Sequence, residues 1–308
     1  MSISVRDQFG KQLAQLAKDD SRVLTLDGDL GNSTRLDSTE KETADSFLQM
    51  GIAEQNMVGV AAGLASVGFQ PWVCSFATFL TKRALDQIVV SIAQTNFDVK
   101  LVGSYSGLLT SNTGKTHHSL DDIAIMTNIP NMTVIAPGDA SETVAAMKAM
   151  HQTCGPMYLR LTRDETIPSF LPDGGFEIGK GKTLAEGTDM LVVTTGSTTY
   201  RVSEAIKQME DVSIAHQHFP TLKPFDKELL LEGAKKVPLV VTVEEHYIRG
   251  GLGSIVTEIL SERLPKKVYR IGVPDRFFGC GTDEELLEAT GLSVEAIKKS
   301  LSLCKKQF

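Results

Sequence analysis

The chain has 308 residues, of which 42% are hydrophobic and 22% are charged, and its formal net charge is −7. This composition is that of an ordinary soluble globular protein with room for two domains. The acidic balance, without a basic stripe, argues against a nucleic-acid partner, and no apolar stretch is long enough to cross a membrane. The cysteines are widely spaced, which predicts reduced thiols in a cytoplasmic protein and no zinc site.

The first half of the chain alternates helix-like and strand-like patterns, beginning with apolar residues at helical spacing from Val5 to Leu16. In chain order the predicted strands are 22–26, 72–76, 99–102, 132–136 and 157–161, and the predicted helices start at about 53, 81, 121 and 140. Strands that alternate with helices favour a mostly parallel sheet with helices on both faces. The sequence therefore predicts a doubly wound α/β domain over residues 1–168.

Residues 164–188 interrupt this alternation with prolines, glycines and few apolar runs, and we predict a linker over 169–188. A second alternating unit follows. Its predicted strands are 190–195, 212–216, 239–243 and 267–271, and its predicted helices are 202–209, 254–264, 284–289 and 294–303. This pattern predicts a second, smaller doubly wound α/β domain over 189–308.

The most informative motif is the run 51–65, in which Glu54 begins a helix made almost entirely of small and apolar residues. No other charged residue lies within eight positions of Glu54 on either side. A carboxylate desolvated against such a helix should have a raised pKa, which would let it share a proton with a ring nitrogen. The plainer alternative is an acid that interacts favourably with the positive end of the helix dipole.

Two further motifs follow predicted strands, at the edge where ligands bind in open α/β sheets. Asp29 lies in a glycine-containing turn after the first strand, although an ordinary polar turn has the same composition. Phe76 and Phe79 follow the strand after Glu54. This aromatic pair could stack on a flat heterocycle or could simply pack in the core.

Histidines and arginines mark the next two strand ends. His117 and His118 lie in a polar loop after the strand at 99–102, where one of them is expected to contact substrate or donate a proton. No further ligands at metal-binding spacing accompany them. Arg160 and Arg163 end the last strand of the first unit, where two arginines could hold a phosphate or could be solvated or paired with Asp.

These motifs, taken together and in this order, resemble the C-terminal half of transketolase over almost the whole chain. The matching motifs are Gly-Ile-Ala-Glu-Gln at 51–55, Ser-Phe-Ala-Thr-Phe at 75–79, Gly-Lys-Thr-His at 114–117 and Ile-Pro-Asn-Met at 129–132. The chain looks like the separate C-terminal subunit of a split, two-subunit transketolase. The resemblance implies a pyrimidine-binding domain of the thiamine-diphosphate type over 1–168 and a transketolase C-terminal-type domain over 189–308.

The resemblance also implies roles for individual residues. Glu54 would bond the aminopyrimidine ring and favour the imino form that removes the thiazolium proton, and His117 would contact the donor sugar as the second catalytic residue. The implied cofactor-binding residues are Asp29, Glu54, Phe76 and Phe79, and the implied substrate-binding residues are Ser33, Tyr105, His117 and Arg163. Tyr105 stands where many transketolases have a phosphate-contacting histidine. Lys82 and Arg83 could add positive charge beside Phe79.

The family's motif for the diphosphate and Mg²⁺ is missing from this sequence. The resemblance therefore implies an N-terminal partner subunit that holds the diphosphate and Mg²⁺, in an assembly with two copies of each subunit and the cofactor at their interface. The implied reaction, in pentose phosphate metabolism, transfers a two-carbon ketol group from a ketose phosphate to an aldose phosphate, and the chain alone should be inactive.

Three alternatives stay open. The first is a related subunit that uses pyruvate, as in deoxyxylulose-phosphate synthase or the beta subunits of 2-oxoacid dehydrogenases. The second is a transketolase for an unusual ketose phosphate, and the third is a non-catalytic assembly subunit.

Overall fold

The computed structural model describes residues 4–171 and 175–305, which form two twisted β-sheets covered by helices. In these residues the first sheet contains β1 Val23–Asp27, β2 Phe47–Gln49, β3 Gln70–Phe76, β4 Lys100–Ser106, β5 Thr133–Ile135, β6 Met157–Thr162 and β10 Thr221–Lys223. The second sheet contains β7 Lys182–Ala185, β8 Met190–Thr194, β9 Ile214–His218, β11 Val240–Tyr247 and β12 Val268–Val273.

Helices connect most of the consecutive strands. Those described are α1 Val5–Asp19, α2 Gly31–Thr34, α3 Asp37–Glu42, α4 Glu54–Ser66, α5 Ala77–Arg83, α6 Leu85–Gln87, α7 Asp122–Thr127, α8 Ala140–Gln152, α9 Thr198–Lys207, α10 Lys227–Lys235, α11 Leu252–Arg263, α12 Asp283–Thr290 and α13 Val294–Lys305. A π-helical segment, Ile88–Ala93, continues from α6. Across the described ranges, no helix combines the length and apolarity that a membrane span requires.

The strand order is β10-β5-β6-β4-β3-β1-β2 in the first sheet and β12-β11-β8-β9-β7 in the second. Neighbouring strands run parallel except where β10 meets β5 and β7 meets β9. Parallel strands joined by helices on both faces constitute the doubly wound α/β arrangement. The predicted fold class is therefore confirmed.

Apolar side chains cover both faces of the first sheet. On one face, Phe9 of α1 and Met147 of α8 belong to the same buried cluster as Trp72 of β3. On the other face, Met57 of α4 belongs to a cluster that continues into the second domain as far as Phe219. The two sheets therefore share part of one hydrophobic core, which fixes their relative position.

Three short strands of the structure are absent from the predicted elements: β2, β7 and β10. β2 lies before the predicted helix at Glu54 and pairs with β1 at the edge of the first sheet. β7 lies inside residues 169–188, predicted as a linker, and pairs with β9 at the edge of the second sheet. β10 lies between two elements of the second half but pairs with β5, so it extends the first sheet. All three strands are too short to give a clear two-residue periodicity in the sequence.

A buried histidine in β9 should make the free energy of unfolding depend on pH. His216 is fully buried, with Nε2 2.9 Å from Thr194 Oγ1. Burial, together with the nearby His218, lowers the pKa of His216 to about 3. An unfolded histidine titrates near pH ~6.5, so below that pH the unfolded state binds a proton that the folded state excludes. Stability is then lost as the pH falls from about 6.5 towards 3.

We therefore expect the free energy of unfolding to fall by about 2 kcal/mol from this group between pH 7 and pH 5. His216→Gln keeps a polar side chain without the titrating ring and should remove that part of the pH dependence. Denaturant unfolding of both proteins at the two pH values measures the difference. An unchanged pH dependence in the variant would contradict the assignment.

Candidate active site

The carboxyl ends of four adjacent strands, β6, β4, β3 and β1, bring the predicted site residues to one edge of the first sheet. Arg163 follows β6, Tyr105 lies near the end of β4, Phe76 ends β3, and Asp29 and Ser33 follow β1. Residues far apart in the sequence thus become neighbours because the sheet is parallel.

Glu54 begins α4 and is only 3% exposed, which agrees with the predicted desolvation. The sequence suggested a carboxylate without a charged neighbour, but the structure gives Glu54 an arginine partner. Arg83, at the end of α5, donates from Nη1 to both carboxylate oxygens, at 2.9 and 3.1 Å. Lys82 also has an acidic partner, Asp121, at 2.9 Å. The positive charge expected beside Phe79 is therefore already paired with two carboxylates.

The guanidinium of Arg83 also covers an aromatic face. Its central carbon lies 4.0 Å from the ring centroid of Phe79. A planar cation thus lies against Phe79 while it donates hydrogen bonds to Glu54. A pocket of about 470 Å³, lined by residues 52–56 and Arg83, adjoins this arrangement. A flat, protonatable heterocycle fits these residues because it needs the same carboxylate and the same aromatic face.

Three aromatic rings and one imidazole form a cluster beside Arg83. Phe76 stacks on Tyr105 with 4.3 Å between ring centroids, and Phe79 lies 5.8 Å from Phe76. His117 meets Phe79 edge-on at 5.1 Å. Phe76 is buried and already stacked, whereas Phe79 is half-buried, so the ring with an accessible face is Phe79.

The two adjacent histidines have different surroundings. His117 is half-buried among the aromatic rings, and burial together with the Arg83 cation lowers its pKa. Its Nδ1 lies 2.9 Å from Thr116 Oγ1. His118 is buried towards the second domain, where it lines a cavity with Tyr247. Only His117 therefore lies among the residues predicted to form the site.

Two arginines flank the ring of Tyr105. Arg6 and Arg163 have their guanidinium carbons 5.4 and 5.3 Å from its centroid. Arg6 donates from Nη1 to the Tyr105 hydroxyl at 2.9 Å and to the Ser33 carbonyl at 3.0 Å, and it pairs with Glu165. Arg163 makes no ion pair within the described part of the chain, and its Nε is buried without a hydrogen-bond partner. This end of the site can therefore accept an anion.

Arg6 is a site residue that sequence reasoning missed. It lies in the first turn of α1, and burial lowers its pKa. Nothing in the local sequence distinguishes it from a solvated arginine at a helix start. Arg160, by contrast, is not part of the site, because its Nε donates to Asp122 at 2.8 Å inside the protein. The alternative of an Asp-paired arginine is thus confirmed for Arg160.

Strained backbone occurs at two strand ends of this edge. Tyr105 has φ of 54° and Asp29 has φ of 64°, both in the left-handed region that non-glycine residues rarely adopt. The Asp29 side chain is exposed, whereas Asp27 is buried and accepts hydrogen bonds from Gly31 and Gln49. Asp29 therefore offers a free carboxylate at the edge, and Asp27 shapes the turn.

Known proteins resemble this chain in both sequence and fold. The family model described as "Transketolase, pyrimidine binding domain" matches residues 1–168, and "Transketolase, C-terminal domain" matches residues 179–297. A chain described as "Split gene transketolase, inactive beta4 tetramer" superimposes with a TM-score of 0.88 at 38% identity, with 99% of each chain covered.

Two curated relatives have similar lengths. A 6-deoxy-6-sulfo-D-fructose transketolase subunit of Clostridium sp. is 36% identical, with 96% of this chain and 92% of the relative covered. An apulose-4-phosphate transketolase subunit of Phocaeicola vulgatus is 35% identical, with 99% and 98% covered. The two matched domains define an α/β protein of a thiamine-diphosphate-dependent enzyme class. The chain belongs to the transketolase family and corresponds to the C-terminal subunit of its split members.

Proposed function

We propose that the chain is one subunit of a thiamine-diphosphate-dependent transketolase that moves a two-carbon ketol group from a ketose phosphate to an aldose phosphate. The observation that carries the proposal is the position of Arg83, hydrogen-bonded to Glu54 and stacked on Phe79. An aminopyrimidine ring has the same two requirements, a carboxylate at its edge and an aromatic ring at its face. Glu54 and Phe79 would hold that ring, with Phe76 packed behind.

Glu54 is the residue to which we assign proton transfer. The cofactor supplies the carbon nucleophile that carries the two-carbon unit. Glu54 would hydrogen-bond the pyrimidine ring and exchange a proton with it, in a buried position that keeps water away. Arg83 bonds both oxygens of Glu54 through one nitrogen, which leaves acceptor sites on the carboxylate for a further hydrogen-bond partner. We assign Asp29, exposed at the same edge, to the cofactor as well.

His117 and Tyr105, with the two arginines that flank the Tyr105 ring, form the substrate side of the site. The lowered pKa of His117 keeps the imidazole neutral near pH 7, so it can donate or accept a hydrogen bond at a sugar oxygen. Arg6 and Arg163 provide the positive charge for a terminal anionic group, and Ser33 lies beside them. The two curated relatives are named for a sulfonated and a phosphorylated sugar. We therefore propose that the ketose donor carries a terminal anion and that this donor can be a sugar other than xylulose 5-phosphate.

We further propose that an N-terminal partner subunit holds the diphosphate and Mg²⁺, in an assembly of two copies of each chain. The pocket beside Glu54 is lined by residues of one helix start and Arg83, so a second chain is needed to enclose a cofactor. The related split-gene chain is described as an inactive tetramer of beta subunits, which supports a requirement for a partner.

Reconstitution tests the proposal. Two-carbon transfer from xylulose 5-phosphate to ribose 5-phosphate is measured with thiamine diphosphate and Mg²⁺, for this chain alone and together with its co-purified partner. We expect turnover only in the mixture. A sulfonated ketose donor in parallel tests the second class of anion.

The outcomes separate the alternatives. Turnover by the single chain would refute the shared site. A complex that binds the cofactor but transfers no two-carbon unit from either donor would refute the proposed reaction, and turnover with pyruvate instead would identify the pyruvate-using alternative. A complex that neither binds cofactor nor turns over would indicate a non-catalytic assembly subunit.

A further inference from the structure

A buried ion pair in the second domain lies directly behind the site. Arg201 of α9 donates from Nη2 to Oε2 of Glu245 in β11 at 2.6 Å, and both side chains are almost fully buried. The Ser197 hydroxyl donates a second hydrogen bond to the same oxygen, Oε2, at 3.1 Å. Removing charges from water is costly, and hydrogen bonds offset that cost at both Glu245 oxygens and at both terminal nitrogens of Arg201, whereas Arg201 Nε has no partner among the described residues. The other contacts of the pair lead to two separate parts of the site.

The first connection runs from Glu245 to the loop that carries His117. Oε1 of Glu245 accepts the backbone N–H of Leu108 at 2.8 Å. The preceding residue, Gly107, exchanges backbone hydrogen bonds with Ser119 at 2.9 and 3.1 Å, which closes the base of the loop. Gly107 has φ of 88°, and a Cβ there would overlap Oε1 of Glu245. The carboxylate therefore packs directly against the closed base of the His117 loop.

The second connection runs from Arg201 to the turn that follows Arg163. Nη1 of Arg201 donates to Oδ2 of Asp164 at 2.8 Å. The other oxygen of Asp164 accepts the backbone N–H of Thr166 at 2.9 Å, which fixes the turn. Glu165, within this turn, forms the ion pair with Arg6. Arg201 therefore holds the segment to which both cations of the anion site are attached.

We propose that Arg201 and Glu245 are positioning residues, which set the location of His117 relative to Arg163. This inference rests on the proposed function, because it holds that one buried ion pair positions both ends of the proposed substrate site. The sugar end that His117 contacts and the anionic end that Arg163 contacts belong to one substrate molecule. A misplacement of about 1 Å between such groups can lower the rate about 100-fold.

The main test is Glu245→Gln, because the amide can still accept the Leu108 N–H while it loses the charge that faces Arg201. Glu244→Gln is the matched control. Glu244 is the adjacent buried acid, and its carboxylate accepts the N–H groups of Leu252 and Gly253 at the start of α11. Arg201→Lys is the second variant, in case Glu245→Gln does not fold. Thermal unfolding establishes which variants are folded.

Hydrogen–deuterium exchange of the full chain provides the first readout. In Glu245→Gln or Arg201→Lys we expect exchange about tenfold faster in segments 107–119 and 162–167 than in the unmodified chain. In Glu244→Gln we expect the change in α11 instead. Unchanged exchange in both segments for folded variants of both residues would overturn the inference.

Steady-state kinetics of the complex with the partner subunit provide the second readout. We expect kcat/KM for xylulose 5-phosphate to fall at least about tenfold, largely through KM, with the thiamine diphosphate affinity changed less than about twofold. An equal loss in Glu244→Gln would show a merely structural effect and would also overturn the inference. If the unmodified complex shows no transfer, the proposed function fails, and the exchange measurement alone decides this inference.

Discussion

Glu54→Gln is expected to lower two-carbon transfer by the reconstituted complex about 100- to 10,000-fold while assembly with the partner subunit is unaffected. The amide has nearly the shape of the carboxylic acid but cannot exchange a proton with a ring nitrogen. Glu54 is buried at the first residue of α4, and Arg83 is its only charged contact at hydrogen-bond distance among the described residues. The subunit interface should therefore tolerate the change, as size-exclusion chromatography of the complex would establish.

Arg83→Gln is the matched control for this prediction. This variant breaks the Arg83–Glu54 ion pair by removing the cation and leaves the Glu54 carboxylate in place. If Glu54 is the acid–base group, Arg83→Gln should retain most of the rate and change the thiamine diphosphate affinity little, because the Glu54 carboxylate remains. Most of the rate remaining in Glu54→Gln would show that the acid–base assignment is wrong.

Arg163→Gln is expected to lower kcat/KM for a phosphorylated ketose by about 10- to 100-fold, through the loss of about 1.5–3 kcal/mol from hydrogen bonds to a charged group. The same variant should change kcat/KM for an uncharged ketose donor by less than about threefold, because that donor has no terminal anion to bind. The physical reason is that Arg163 lies beside Tyr105 with a buried Nε that has no hydrogen-bond partner among residues 4–171 and 175–305.

Arg22→Gln serves as the control for this specificity prediction. Arg22 is an exposed arginine paired with Asp20, so its removal changes the net charge equally without touching the site edge. Steady-state kinetics with charged and uncharged donors compare the two variants. A proportional loss for both donors in Arg163→Gln would mean that the arginine supports the fold or the chemistry and does not select an anion.

The sequence predicted the architecture well because the signals were local. The helix starting at Glu54 consists mostly of small and apolar residues, the strand ending at Phe76 is buried at every position, and Asp139 caps α8, with the Glu142 N–H 2.8 Å from Asp139 Oδ1. Local apolar runs and capping residues are sufficient to predict such elements. The parallel sheet then determines which strand ends meet.

The contacts that the sequence could not predict all connect distant residues. Arg83 is 29 positions from Glu54, and Arg6 is 99 positions from Tyr105. No periodic pattern carries such information, because these pairs form only after the sheet has brought its strand ends together. Arg160 and Arg163 were indistinguishable for the same reason: only the pairing with Asp122 shows that Arg160 faces inward.

The position of β10 limits how this chain could be divided. The polypeptide builds β7, β8 and β9 of the second sheet and then returns to pair β10 with β5 at the border of the first. A cut in the segment before β7 would leave β5 as an unprotected edge and β10 as an unpaired strand on the other fragment. Fission of the gene at that point would thus divide one sheet between two polypeptides. The two sequence domains are therefore joined through one shared sheet, although each matches a separate family description.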